Sequence, residues 1–329
     1  LNTYHGPAIS SDKTPYEKIT YKDMSKHNLS RTITGGWVSM QHQYFVSAWV
    51  PQAKEQNHYF SREQENDIYT IGFVGPAIKV APGANASTSA LFYVGPELQG
   101  NLDKLAPNLG KTIDYGWLFF LSQPIYWLLA LIHSYIGNWG WAIVLTTILI
   151  KLAFYKLAES SNRSMAKMRE LQPRLTALKD RYPDDKQKQS QAMMEMYRTE
   201  KVNPLGGCLP MLVQMPFFIA LYYVLIESVE LRQAPWILWI QDLSVRDPLF
   251  ILPGLMMIAM LLQTRLSPTP PDRSQAIMMH IMPIAFGAFF ATFPAGLVLY
   301  WLVNTLFSIT QQWFIMRKYT SKKIAVVKI

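Results

Sequence analysis

The hydrophobic residues change their pattern about one third of the way along the chain. Up to residue 110 they come in short bursts, as at 44–50, 68–74 and 90–94, with Pro, Gly and Asn between them. This pattern predicts β-strands joined by turns in a water-soluble domain. Beyond residue 110 the apolar runs are longer and reach the length of membrane-spanning helices. We therefore predict a β-rich domain followed by a helical membrane part.

The apolar run at residues 139–158 is long enough to cross a bilayer as a helix, because ~20 residues at a rise of ~1.5 Å match a hydrocarbon core of ~30 Å. It contains Lys151, which would lie ~18 Å along the helix from Trp139. A charge at this depth is costly unless water or a partner reaches it. Lys151 is therefore the first candidate functional residue.

An earlier apolar run, residues 117–136, allows two interpretations. It is as long as a span, but Ser122, Pro124 and His133 interrupt it, and only two residues separate it from the next run. Two spanning helices would need a very tight hairpin there. We favour a helix lying along the membrane surface, with its aromatic residues at headgroup level. The alternative is a true span.

Residues 159–202 are polar and rich in Lys and Arg. They read as two helices with a turn at residues 182–185. Apolar residues recur every three or four positions on the first arm, and methionines cluster on the second. We interpret the segment as an antiparallel hairpin whose apolar stripes pack on each other. The alternative is a methionine-rich surface that adapts to varied apolar clients.

Four further apolar segments follow, at residues 205–226, 249–262, 276–290 and 293–316. The second and third are short for a full crossing, which suggests a locally thinned membrane or neighbouring helices that shield their ends. Lys and Arg concentrate in the hairpin, in the 264–274 loop and in the tail. The positive-inside rule places these three in the cytoplasm. The parity of the spans then places the β-rich domain outside.

The composition agrees with a membrane protein. Half of the 329 residues are hydrophobic, with ten Trp and sixteen Met. The net charge of +9 suits contact with anionic lipid, nucleic acid or the ribosome. The single cysteine, Cys208, allows no internal disulfide. Because no signal peptide or first span precedes the polar region that starts at Leu1, we expect a fragment without its N-terminal targeting segment.

Lys151 lacks a counter-ion in the later apolar segments, none of which contains Asp or Glu. A transporter or proton pump usually pairs a membrane lysine with a carboxylate at similar depth. Thr147 lies one turn before Lys151, and Gln214 and Asn304 fall at ~15 Å depth on two other helices. These four residues predict a water-filled groove near mid-membrane. The alternative for Thr147 and Asn304 is helix–helix hydrogen bonding in a dry bundle.

Motifs for catalysis are missing from the sequence. It contains no His-Glu-x-x-His pair and no Gly-x-Ser-x-Gly, and the stretch at 95–101, which resembles the opening of a phosphate-binding loop, lacks the Gly-Lys-Ser/Thr that would complete it. We therefore expect no enzyme, and no nucleotide, metal or other cofactor.

Six longer motifs resemble the YidC-type bacterial membrane protein insertases. The resemblance covers essentially the whole sequence, and several of the motifs are too long for chance. They are GGWVSM at 35–40, SMAKM at 164–168, NPLGGCLP at 203–210, QMP at 214–216, SVELRQAP at 228–235 and FPAGLVLY at 293–300.

The resemblance implies a fold and a location. The fold is a five-helix transmembrane core with a cytoplasmic helical hairpin, preceded by part of a periplasmic β-sandwich, in the bacterial inner membrane. The core encloses a hydrophilic groove that opens to the cytoplasm and to lipid. The expected divisions are 1–110, the periplasmic β-rich part; 111–138, linker and interfacial helix; 139–158, transmembrane helix; 159–202, hairpin; 203–316, four further transmembrane helices; and 317–329, basic cytoplasmic tail.

The resemblance also implies site residues. The family carries a single positive groove residue, commonly arginine, and Lys151 stands at that position, which keeps the charge but loses the planar fork of arginine. The expected groove residues are Lys151, Thr147, Gln214 and Asn304. The expected slide for client helices consists of Tyr300, Trp301, Met215 and Phe218.

The implied function is that of an insertase and chaperone, which passes transmembrane segments of clients from the groove into lipid without nucleotide hydrolysis. The implied partners are nascent membrane proteins, the Sec translocon, the ribosome and targeting receptor at the cytoplasmic face, and anionic lipids. Two alternatives stay open: a transporter for small anions that uses Lys151, and a chaperone that folds membrane proteins without inserting them.

Overall fold

The structure is a computed structural model, and it divides into two compact units. The first contains residues 1–119 and 226–230, and the second contains residues 120–225 and 231–329. The residues that the structure describes are 3–65, 68–182, 185–200, 209–266 and 273–326. Part of the motif at 203–210 and part of the 264–274 loop therefore lie outside the described residues, as does the middle of the turn at 182–185.

The first unit contains two antiparallel sheets, as the alternating bursts predict. One sheet has the strand order β2-β1-β4-β5-β8 and the other the order β3-β6-β7. The predicted strands at 44–50, 68–74 and 90–94 correspond to β5, β7 and β8. The strands are β1 Gly6–Ser10, β2 Glu17–Lys18, β3 Ser30–Thr34, β4 Trp37–His42, β5 Phe45–Val50, β6 Gln56–Gln64, β7 Ile68–Val74 and β8 Leu91–Pro96.

The core of this unit lies between the sheets. Ile9 on β1 pairs with Val38 on β4, and both belong to one buried cluster with Tyr59 of β6. The Tyr59 hydroxyl donates to the Gly35 carbonyl at 2.7 Å. The turn between β3 and β4 needs glycine, because Gly36 has φ +76° and a Cβ there would lie 2.2 Å from a backbone oxygen.

Short helical segments complete the first unit. The fully buried Trp37 donates from its indole nitrogen to the Pro107 carbonyl at 3.0 Å. This bond ties β4 to the segment that follows the second of two short helices. These helices are α1 Tyr21–Met24 and α2 Gln99–Leu105.

The second unit is built from long helices. α10 packs against α4, α5 and α8, and α8 packs against α9. The helices of this part of the chain are α3 Phe119–Ile136, α4 Trp139–Ala153, α5 Tyr155–Arg181, α6 Lys186–Thr199, α7 Leu209–Glu227, α8 Ile251–Leu266, α9 Arg273–Phe290 and α10 Ala295–Val326.

The helix predicted over residues 139–158 ends early. α4 stops at Ala153, and α5 starts at Tyr155 with its axis turned by 67°. The Phe154 amide still donates to the Ile150 carbonyl at 3.2 Å, so the direction changes while this helical bond is kept. The bend therefore brings the basic arm out of line with the apolar helix.

The helices α5 and α6 pair as a hairpin, as the stripes predict. Leu171 and Leu175 are buried, and Arg174 forms an ion pair of 2.6 Å with Glu200. Asp185 caps the start of α6, where its side chain accepts from the Lys188 amide at 2.9 Å. Packing of the two arms on each other therefore accounts for part of the apolar stripe.

Among the described residues, one helix is long and apolar enough to cross a membrane, and a second is if a bent pair of helices counts as one span. Gly116–Ile136 can span by these criteria, and Trp139–Ala153 with Tyr155–Leu178 can if the bent pair forms one span. α7, α8 and α9 contribute shorter apolar helices. α8 and α9 also expose large apolar side chains such as Ile258 and Ile281, each more than half exposed, as lipid-facing helices do. The surface orientation favoured for residues 117–136 stays a prediction.

Candidate functional site

The helical unit contains a cavity of about 290 Å³ that Lys151 lines. Side chains from α4, α5, α7, α8 and α10 form its wall, which contains both polar and apolar residues. The polar side chains that line the cavity include Lys151, Gln214, Asn304, Ser308, Gln311 and Gln312.

Lys151 makes two hydrogen bonds, and both acceptors are neutral. Its Nζ donates to Gln214 Oε1 at 3.1 Å and to Ser308 Oγ at 2.8 Å. Within the described ranges no carboxylate forms an ion pair with it. The structure therefore meets the cost of a lysine at this depth with neutral polar groups and an open cavity.

Gln214 and Asn304 meet as the depth arithmetic predicts. Gln214 Nε2 donates to Asn304 Oδ1, so the glutamine amide bridges Asn304 and Lys151. Ser308, one turn along α10, donates its hydroxyl proton to the Asn304 carbonyl at 2.8 Å. Three helices thus contribute to one connected polar network.

Thr147 does not line the cavity. It is 1% exposed, and its hydroxyl donates to the Ile143 carbonyl of its own helix at 2.7 Å. Such a bond within the helix satisfies a threonine hydroxyl without any groove. Its place in the groove, inferred from the spacing of one turn from Lys151, stays a prediction.

The cavity brings together all four residues of the expected slide for client helices. Met215, Phe218, Tyr300 and Trp301 line the same cavity as Lys151. The Phe218 ring lies edge-to-face with Trp301 at 4.8 Å and stacks on Tyr300 at 6.1 Å. Tyr300 is only 2% exposed, whereas Met215 is 39% exposed. Their role as a slide stays a prediction, but the structure does bring them together.

The sequence reasoning missed three polar residues of α10. Ser308, Gln311 and Gln312 follow Asn304 at helical spacing, so they share its face. Gln311 donates to the Tyr155 carbonyl at 3.4 Å, and Gln312 donates to the Leu266 carbonyl at 3.1 Å. The recurrence of polar residues inside an apolar run was the signal that could have found them.

A metal centre has no support among the described residues. They contain no group of three or more His, Cys, Asp or Glu that could hold an ion.

Comparison with known proteins gives matches along nearly the whole chain. The family model "YidC periplasmic domain" matches residues 1–128. The chain is 55% identical over 316 residues to "Membrane protein insertase YidC" of Ectopseudomonas mendocina (strain ymp), a match that covers 96% of this chain and 54% of that protein. The same-named protein of Pseudomonas putida (strain W619) is also 55% identical, with 56% of it covered. The chain thus spans about half the length of these relatives.

A solved structure shares the fold. It is described as "Active YidC insertase crystal structure with the first transmembrane domain resolved", and it superposes with a TM-score of 0.55 at 21% identity. The match covers 92% of this chain and 78% of that one. The expected architecture, a β-sandwich domain followed by a helical core, is therefore confirmed. The family model "60Kd inner membrane protein" matches residues 131–323, and the chain belongs to this family of membrane proteins.

Proposed function

We propose that this protein is a membrane protein insertase and chaperone. The observation that carries the proposal is the cavity of the helical unit, which is lined both by an ammonium with only neutral acceptors and by aromatic side chains. A cavity with polar and apolar lining residues suits a client that is itself part polar and part apolar. The proposal agrees with the names of the relatives.

The polar side chains that line the cavity would lower the free-energy cost of moving a client's polar segment into the membrane. An unpaired polar group in hydrocarbon costs ~4–8 kcal/mol relative to water, so even partial hydration of a segment is a large gain. The cavity has room for several waters, since one water needs only ~10–15 Å³. Lys151 adds a positive charge without a carboxylate partner among the described residues, which favours clients with acidic segments.

The aromatic side chains of the cavity would direct the client's hydrophobic helix toward the lipid. Phe218, Tyr300 and Trp301 offer ring faces and edges to an apolar segment. That segment gains free energy when it moves from the hydrated cavity into lipid. This step breaks no covalent bond, so we propose a non-enzymatic cycle without nucleotide.

We further propose that residues 1–110 face the periplasm and that the hairpin and the C-terminus face the cytoplasm, in line with the positive-inside rule. Lys167, Arg169 and Arg198 are exposed on the hairpin. Such side chains suit the ribosome and its RNA, a targeting receptor, and anionic lipid. The Sec translocon is a further proposed partner, by analogy with the family alone.

The proposal is tested by photo-crosslinking. A photo-reactive residue replaces Trp301, which lines the cavity, or Phe314, which lies on the same helix and is 59% exposed. Both variants are challenged with ribosome-stalled single-span clients of increasing length. We expect crosslinks at Trp301 with short clients, and their loss once the client reaches lipid. Phe314 is the matched control, where labelling should not depend on client length in this way.

Other outcomes point elsewhere. Labelling at Trp301 only after insertion is complete would replace the insertase by a folding chaperone. No labelling at any length, together with anion flux in liposomes that Lys151→Met abolishes, would support the small-anion transporter. That rival needs a dehydrated anion site, and the network provides only one cationic group toward it within the described residues.

A further inference from the structure

Ser308 is a serine within an apolar helix that contacts the charge of the cavity directly. Its Oγ accepts from Lys151 Nζ at 2.8 Å, the shorter of the two bonds that Lys151 makes. A hydroxyl has one proton to donate. That proton is used on the Asn304 carbonyl at 2.8 Å, so Oγ faces Lys151 only as an acceptor.

The second acceptor is fixed in a similar way. Gln214 donates its amide to the side-chain oxygen of Asn304, and this bond turns its Oε1 toward Lys151. Asn304 therefore orients both acceptors, one through its side chain and one through its backbone. An ammonium has three N–H donors and no acceptor. Ser308 and Gln214 take two of these donors, which leaves one for a group in the cavity.

A lysine side chain needs such support more than an arginine does. Its four-carbon stem is flexible and carries a point charge, whereas the guanidinium of arginine presents a rigid planar fork. Two fixed acceptors convert the flexible ammonium into a donor with one defined direction. This arrangement is the pre-organisation that makes a single hydrogen bond to a bound group effective.

We propose that Ser308 is a positioning residue, which holds the Lys151 ammonium so that its third N–H faces the cavity and thereby sets the preference of the groove for acidic clients. The inference rests on the proposed function, because it concerns the client preference of the same site. Ser308 does not itself bind the client in this proposal. It acts through Lys151, and the experiment must detect that dependence.

The experiment uses the full protein in proteoliposomes and two single-span clients. The clients are identical except that the short translocated tail carries two Asp in one and two Asn in the other. The readout is the ratio of their initial insertion rates, measured by protease protection. Loss of a hydrogen bond to a charged group predicts that Ser308→Ala lowers this ratio roughly tenfold. Ser308→Thr keeps the hydroxyl and should restore the ratio.

Two further variants separate positioning from packing. Thr310 lies on the same helix, and its exposed hydroxyl donates to the Leu306 carbonyl at 2.9 Å in the same i to i−4 pattern. Thr310→Ala is thus a matched control, and the ratio should stay at the wild-type value. In a Lys151→Met background, Ser308→Ala should have no further effect on the ratio, because the group it positions is gone.

The outcomes distinguish the inference from the proposed function. A Ser308→Ala variant that slows both clients equally, or that still lowers the ratio in the Lys151→Met background, would overturn the positioning role. The same holds if Lys151→Met abolishes the preference while Ser308→Ala leaves it intact. If the wild-type protein inserts neither client, the proposed function fails, and the inference fails with it.

Discussion

Asp247 is a buried carboxylate whose two oxygens organise the loop before α8. Oδ1 accepts from the Trp239 indole and from the Leu249 amide, each at 3.0 Å. Oδ2 accepts from the Leu252 amide at 2.7 Å, inside the first turn of α8. The Asp247 side chain, which is only 1% exposed, thus caps α8 and also accepts a hydrogen bond from the Trp239 indole.

We expect Asp247→Ala to destabilise the helical unit by ~2–3 kcal/mol, because one buried and two part-buried donors lose their acceptor, and a buried donor left without a partner costs ~1–3 kcal/mol. Denaturant unfolding in detergent micelles measures this loss. Asp242 in the same loop bonds only to Ser244, at 2.8 and 2.7 Å, and is the matched control. Asp242→Ala should cost less than ~1 kcal/mol. Equal effects of the two substitutions would show that Asp247 is no more than a local turn residue.

At the scale of single residues, the estimated depth of each residue in the membrane predicts some residues of the polar network but not all of them. Lys151, Gln214 and Asn304 were predicted to share one layer, and they form one hydrogen-bonded network. Ser308 was missed because a lone serine in an apolar run is unremarkable until its neighbours are known. The Thr147 hydroxyl bonds within its own helix, and sequence spacing alone does not distinguish such a hydroxyl from one that faces a groove.

At the scale of elements, α4 depends on a close approach at its start. Asn138 caps the helix by accepting from the Trp141 amide at 3.1 Å, and its side chain donates to the carbonyls of Pro235 and Trp236. Gly140 is the second residue of α4, and a Cβ added there would lie 2.2 Å from Cδ1 of the Trp236 ring. The loop after α7 therefore rests directly on the backbone of α4.

We expect Gly140→Ala to destabilise the helical unit by ~1–3 kcal/mol through overpacking, although alanine favours helices. Gly254 on α8 is the matched control, since a Cβ there meets nothing within 4 Å. Gly254→Ala should leave stability unchanged or raise it by up to ~1 kcal/mol. The thermal midpoints of both variants in detergent check the pair. A Gly140→Ala midpoint at or above the wild-type value would contradict the close approach.

The elements themselves were largely predictable, because a long apolar run must become a helix to satisfy its backbone in lipid. The segment predicted at 276–290 is α9, and that predicted at 293–316 begins α10. The bend at Phe154 could not be predicted. No Gly or Pro marks it, and apolar composition continues across it. Its position is decided by the packing of α4 and α5 against α10, which a single sequence does not display.

At the scale of the whole molecule, the first of the two units contains a buried glutamate. Glu97 is 3% exposed. Burial and, to a smaller extent, the nearby Glu227 raise its pKa, a hydrogen bond from Thr112 opposes them, and the net result is a pKa of about 8. Asp114 adds a smaller repulsion. Glu97 is therefore mostly protonated in the folded protein at neutral pH, whereas its ordinary pKa is 4.5.

The sign of the pH dependence follows from these two values. Between pH 4.5 and about 8 the folded state holds a proton on Glu97 that the unfolded state has released. Stability of the first unit must therefore fall as pH rises through this window, with a slope of up to ~1.4 kcal/mol per pH unit from this group. Below the window both states are protonated, and above it both are ionised, so the slope from Glu97 disappears at either end.

Hydrogen exchange of the β4 and β6 amides in the full chain, corrected for intrinsic rates, measures this slope. Glu97→Gln is neutral at every pH, so we expect it to reduce the slope between pH 5 and about 8 by the share that Glu97 contributes. Glu65→Gln makes the same charge change at an exposed position and should leave the slope unchanged. If Glu97→Gln and the wild type lose protection in parallel as pH rises, the buried proton is not on Glu97. Protection that increases with pH in the wild type would mean that the Glu97 carboxyl is ionised in the fold.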